Sequence, residues 1–149
     1  MTTILLSTNI SAAIHKVFNL SRDIDVHQNS ATKTNEVAIE GTIHGLINLG
    51  ETVTWRGKHF GFYLQHTSLI TQMKLYSFFA DEMIKGHFKS FRHEHYFKEK
   101  NGVTIMTDKL SYETPFWIAG KLFDFLFLKS HMTKFLLDRN QVLKAIAEN

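Results

Sequence analysis

The sequence predicts an α+β domain in which about seven antiparallel strands wrap around one long C-terminal helix. Three observations predict it. From Glu36 to Tyr112, apolar and polar residues alternate with a period of two between short turn segments. From Thr114 to Glu148 there is one proline, at the start, and one glycine, while Ile118, Phe125, Met132, Leu136 and Leu143 recur at the helical period. Ahead of the alternating region, a short β-branched run is followed by two brief helical patterns.

In order, Thr3 to Asn9 reads as an edge or partner strand. Ser11 is placed to cap a helix carrying Ile14, Val17, Phe18 and Leu20 on one face. Asp23 to Ser30 suits a second short helix or turn, and Ser30 to Asn35 a loop. Strands follow over Glu36 to Thr42, Glu51 to Phe60, Phe62 to Met73, Tyr76 to Ile84, Lys89 to Lys98 and Val103 to Tyr112. Their joints at Phe60-Gly61, Lys85-Gly86-His87 and Asn101-Gly102 are short enough for a meander.

Thr114 suits an N-cap and Pro115 the first helical turn. An unbroken helix from Pro115 to Ala147 would run about 50 Å at 1.5 Å per residue, so a kink is expected near Gly120 or Lys129-Ser130. The half after Met132 should be gripped by the sheet, and the half before it should form a cavity mouth. Phe123 and Phe127 lie off the stripe. They are expected to cover the mouth, pack under an apolar lip at Gly45–Leu49, or meet a partner or membrane.

At 149 residues, one domain spanning 1–149 can bury about 70% of its unfolded surface. The absence of cysteine excludes disulfides, thiolate metal sites and a cysteine nucleophile, and makes a reducing cytoplasm the expected compartment. The N-terminus shows no signal-peptide pattern, and the apolar run Phe116 to Leu128 is short of the roughly 20 residues that span a bilayer. Stable membrane insertion is therefore not expected, whereas transient membrane contact is compatible. The net charge of +3 is dispersed, which disfavours a nucleic-acid face. Nine histidines and thirteen phenylalanines suggest an aromatic interior with polar points inside it.

The segments Glu51-Thr-Val-Thr-Trp55-Arg-Gly-Lys-His59-Phe-Gly61, Phe79-Ala-Asp-Glu82-Met83, Phe88-Lys-Ser-Phe-Arg-His93-Glu-His95-Tyr-Phe97 and Met106-Thr-Asp108, in this element order, resemble the helix-grip fold of the START, polyketide-cyclase and birch-pollen-allergen (SRPBCC) superfamily. The resemblance covers nearly the whole chain and looks like a bacterial ligand-binding branch. It implies a pocket between sheet and C-terminal helix for an apolar molecule; a minority of the superfamily are cyclases or hydrolases.

Alternation chooses the inner face of each strand. Phe91, His93, His95 and Phe97 form the better core face of their strand, and Val53, Trp55 and His59 that of theirs. His66 goes inward with Leu64 and Ile70, and Asp108 with Met106, Leu110 and Tyr112. The strand from Tyr76 ties between Phe79, Asp81 and Met83 on one side and Phe78, Ala80, Glu82 and Ile84 on the other. The expected ligand contacts are Trp55, His59, Glu82, Phe91, His93, His95, Phe97, Asp108, Phe123 and Phe127.

The polar members must satisfy one another, be hydrated, or meet a ligand. His93-x-His95 could share a metal. It lacks the second, proline-containing motif of a cupin, however, so neither metal nor cofactor is expected. A His–Asp general base would make the protein a cyclase- or dehydratase-like enzyme. Non-catalytic carriage of a small apolar molecule is the reading preferred to that alternative. Ligand identity and oligomeric state are not readable.

Overall fold

The fold, seen in a computed structural model, is a seven-stranded antiparallel sheet closed on a C-terminal helix. Strand β1 (Thr2–Ile10) is followed by α1 (Ile14–Ser21) and α2 (Ile24–Ser30). The strands β2 (Val37–Gly41), β3 (Thr52–His59), β4 (Phe62–Lys74), β5 (Phe78–Lys85), β6 (Ser90–Lys100) and β7 (Val103–Glu113) come next. The spatial order is β1-β7-β6-β5-β4-β3-β2, a meander whose last strand pairs back onto the first. This is the predicted helix-grip architecture. Asn101 and Gly102, at φ 54° and 75°, supply the left-handed pair that the tight β6–β7 turn needs.

Two local expectations at the N-terminal helices change. Ser11 does not cap α1; its N–H donates to the Glu148 carboxylate at 2.9 Å, and α1 begins after Ala13 without a side-chain cap. Asp23 does cap α2, accepting from the N–H groups of Asp25 and Val26 at 2.9 and 3.2 Å. The segment predicted as loop contains a 3₁₀ turn, Thr32–Thr34. Gly45–Leu49 packs against the core through Ile47, and backbone bonds tie Ile24 to Gly45 and Ile47 to Arg22.

The C-terminal helix differs most from expectation. It runs unbroken over 32 residues as α3 (Trp117–Phe123), a π turn (Asp124–Leu128) and α4 (Lys129–Glu148). The irregular stretch is the π turn, which ends at Leu128 beside the Lys129-Ser130 pair, and Gly120 lies within α3. Gly120 is there because a Cβ would stand 1.8 Å from the Pro115 carbonyl oxygen. Thr114 and Pro115 stay outside the helix, which starts from left-handed Phe116 and Trp117.

The inward line is Gly120, Asp124, Leu128, Met132 and Leu136, each buried and four residues from the last. Steps of four outrun a turn of 3.6 residues, and the wider π turn gives part of the difference back. Ile118 and Phe125, predicted on the buried stripe, therefore face out. Asp124 is held from below by the hydroxyls of Tyr112, at 2.5 Å, and Thr2. No helix is long and apolar enough to cross a membrane.

Candidate ligand-binding site

Sheet and helix do not close completely on each other. Between them lies a cavity of about 500 Å³, within the range of small-molecule sites. Trp55 and His59 of β3, Phe91, His93 and His95 of β6, and Phe123 of α3 all line it. Four other expected contacts lie elsewhere. Glu82 is on the outer face of β5, where its carboxylate pairs with Arg92 at 3.1 Å. Phe97 is inside but covered by α1, 5.2 Å from the Phe18 ring. Phe127 projects from the π turn and touches Phe123 rather than the cavity. Asp108 is fully buried behind the histidines, one layer back from the lining.

The tie in β5 resolves toward Asp81, because Phe79 on the same face packs against Phe18, Phe97 and His95. The Asp81 carboxylate joins two arms of a network. His95 Nε2 lies 3.3 Å from its Oδ2, and the Ser68 hydroxyl donates to its Oδ1 at 3.1 Å. Since the single Ser68 hydrogen is used there, His66 Nε2, 3.0 Å from Ser68 Oγ, must be the donor of that bond.

On the other side, His93 Nε2 donates to Asp108 Oδ1 at 2.9 Å, and Asn140 Nδ2 of α4 donates to Oδ2 at 2.7 Å. His95 Nδ1 is 3.0 Å from the same Oδ1 but poorly aligned for a hydrogen bond. Two imidazoles with centroids 3.9 Å apart thus share one carboxylate.

That sharing splits their protonation. Burial, followed by the neighbouring His95, pushes His93 down to about 4, so its ring is neutral. Burial opposes charge on His95 too, but its contacts with Asp108 and Asp81 outweigh burial and raise its pKa. Both carboxylates are held below their ordinary range. Burial works against that, and bonds to the histidines prevail.

A second polar group stands across the cavity. His59 Nδ1 meets His131 Nε2 at 2.9 Å, and burial lowers the pKa of both rings. His27 stacks on Trp55 with centroids 4.1 Å apart and lies 3.5 Å from Glu36. The mouth is aromatic: Phe60 from the β3–β4 turn meets Phe123 at 5.2 Å, and left-handed Phe116 also lines the opening.

Donor atoms of Asp81, His93 and His95 lie within 4.8 Å of one another, the count for a two-histidine, one-carboxylate metal site. Both Nε2 atoms, however, already face carboxylates, and the Arg139 cation is close enough to disfavour charge on His95. The donor set therefore fits a hydrogen-bonded network better than a cation cage.

Sequence reasoning left Asp81 in a tie with Glu82 and did not select Ser68, Arg139 or Asn140 as contacts. The last two had a visible signal, because polar residues occupy an inward position of the helix between Leu136 and Leu143.

No protein-family model and no curated protein sequence matches the chain. Solved structures do. A protein of Thermus thermophilus superposes with a TM-score of 0.76 at 14% identity, covering 97% of this chain and 95% of that one. A START superfamily protein from Mycobacterium smegmatis gives 0.73 at 11% identity, over 98% and 97% of the two chains. Major latex-like protein 151 of Panax ginseng gives 0.71 at 18% identity, also over 98% and 97%. At these identities the likeness defines the fold alone, and that fold is the helix-grip fold expected from the sequence.

Proposed function

We propose that the protein binds and carries a small, mostly apolar molecule in the cavity between its sheet and C-terminal helix. The observation carrying this reading is a cavity of about 500 Å³ with mainly apolar walls and a fixed imidazole–carboxylate face on one side. In this reading Trp55, Phe91 and Phe123 contact the apolar body. His59, His93 and His95 meet its polar end, and Asp108 holds the two β6 histidines from behind. Glu82, Phe97 and Phe127 have no part in it.

The apolar ridge outside the mouth supports loading of the molecule at a lipid surface by transient contact. Phe116, Trp117, Ile118 and Phe125 are exposed there, with Lys121 and Lys129 on the same stretch of helix.

Native mass spectrometry of protein purified from its own cells tests the main reading, with an added mass in the range of a small lipophile expected. A bare polypeptide mass would sink it if Trp55 fluorescence in a Trp117→Phe background also ignored panels of lipids, sterols and polyketides.

A second reading, general-base catalysis, draws on the His93–Asp108 contact. With Nε2–H donated to Asp108, Nδ1 of His93 remains a free acceptor. A pKa near 4 nevertheless makes it a weak base at neutral pH. Carriage is therefore supported better. Turnover that disappears in His93→Ala while binding persists would reverse that order.

A further inference from the structure

Arg139 has no role in the fold that accounts for its position. It lies on the inward side of α4, is only 4% exposed, and lines the cavity. Its flanking residues are engaged: Asp138 with Lys33 at 2.8 Å, and Asn140 with Asp108 at 2.7 Å. The Arg139 guanidinium itself makes no hydrogen bond and no ion pair within the chain.

The three other arginines provide a contrast. Arg22 donates to Asn19, Asn48 and the Ile47 carbonyl. Arg92 pairs with Glu82, Glu94 and Gln72. Arg56 is exposed and lies over the Tyr63 ring. Arg56 and Arg139 both lack a hydrogen bond or ion pair, but Arg56 is solvated and Arg139 is buried.

A guanidinium cannot shed its proton under ordinary conditions, so burial does not neutralise it as it does His93. An unpaired buried charge is costly unless something else pairs with it. Arg139 lines the cavity, and its positive field reaches His95.

We infer that the ligand is an amphiphilic organic monoanion whose carboxylate pairs with the unpartnered guanidinium of Arg139, buried in the cavity lining. This deepens the carrier reading and rests on it. The planar fork matches a carboxylate through two parallel N–H···O bonds. A phosphate dianion fits less well, because Asp81 and Asp108 flank His95 on the same polar face and would repel the second charge. The apolar walls then take the rest of the molecule, with the polar end at Arg139 and His95 and the tail toward Phe123 and Phe60 at the mouth.

Isothermal titration of the full chain with dodecanoic acid and with 1-dodecanol, which share a tail and differ in the head group, tests the inference. The wild-type protein is expected to bind the acid about ten-fold or more tighter than the alcohol. Arg139→Met, which keeps the length and apolar stem, is expected to abolish that preference and leave the alcohol within about two-fold. Arg139→Lys should retain part of it, as a point charge in place of a fork.

Equal wild-type binding of acid and alcohol would overturn the anion inference and leave the cavity reading standing. Binding of neither would overturn the anion inference, while the native mass and the fluorescence panels decide the carrier reading separately. An undiminished acid preference in a folded Arg139→Met variant would also overturn it. Should that variant not fold, the acid-to-alcohol ratio of the wild type decides alone.

Discussion

Residues Trp117–Leu128 and Lys129–Glu148 form one continuous helix, yet they treat water in opposite ways. The second part buries Met132, Leu136, Leu143 and Ala147 and turns its lysines outward, the ordinary solution for a helix gripped by a sheet. The first part turns Trp117, Ile118 and Phe125 out, at 76%, 64% and 83% exposure, and buries Gly120 and the carboxylate of Asp124.

The inversion is held in place by local chemistry. Asp124 is tied to Tyr112 and Thr2, Gly120 lies against the Pro115 carbonyl, and the π turn ends the first half. Two consecutive aromatic residues, Phe116 and Trp117, hold left-handed backbone angles at its start. Such angles cost roughly 1–2 kcal/mol per residue. Stability alone would not select them. The gripped half anchors the fold and the polar layer; the other half offers an apolar surface beside the cavity mouth.

The comparison would be broken most directly at the anchor. Asp108→Ala removes the acceptor of His93 and Asn140 and the charge beside His95, leaving buried donors without a partner and α4 without its polar tie. A loss of about 3–5 kcal/mol is expected in urea denaturation. A loss below about 1 kcal/mol would mean that the network does not hold the gripped half.

One step smaller, Leu143→Ala is expected to cost about 2–5 kcal/mol, because Leu143 lies in the main core with Val17 and Phe18. Phe125→Ala, the same kind of truncation 18 positions earlier on the same helix, should change stability by less than about 0.5 kcal/mol. Equal losses would erase the distinction between the halves.

Acid should weaken the gripped half through its histidines. In the unfolded chain His93 titrates near about 6.5. In the fold, burial and then His95 hold it to about 4. Between those values the unfolded state binds more protons. The His93 contribution is therefore complete above about pH 6.5 and is lost as pH falls through that window.

Burial shifts His59, His66 and His131 the same way. His95 opposes them, since its raised pKa contributes stability below about pH 6.5 that fades as pH rises through its folded value. Asp81 and Asp108, held low, add a further loss only below about pH 4. The sum should be a fall on the order of 2–3 kcal/mol between pH 7 and 4.5, read from urea midpoints. A flat profile would mean that His93 is not buried neutral.

The gripped half and the sheet were readable because each obeys a single period. Alternation in β6 and β7 put His93, His95, Met106, Asp108, Leu110 and Tyr112 inside, where they are. The exposed half was misread for the same reason. A 3.6-residue projection places Ile118 and Phe125 in line with Met132, and a sequence gives no notice of the π turn that breaks this alignment.

The choice between Asp81 and Glu82 could not be made from β5 itself. It depends on Phe79 finding Phe18 and Phe97, contacts distant in sequence. Arg139 and Asn140 were hidden by a different assumption, that polar residues in a helical stripe belong to its solvent side.

The smallest effect on stability should accompany the largest on surface behaviour. A Trp117→Ser, Phe125→Ser double variant removes two exposed rings and no buried contact, so its urea midpoint should stay close to wild type. Flotation with vesicles containing an anionic phospholipid should fall several-fold, because exposed aromatic and aliphatic side chains near lysines suit an interfacial helix. Lys121→Glu with Lys129→Glu should reduce flotation further in low salt than in high salt, since that part of the attraction is screened.

Wild-type protein that stays with the soluble fraction on such vesicles would remove the lipid-surface explanation for the exposed half. Flotation of wild type that survives the serine variant would move the contact elsewhere on the molecule. Loss of flotation with an unchanged midpoint would assign the two halves separate tasks, because the substitutions that abolish surface contact would be those the folded core does not feel.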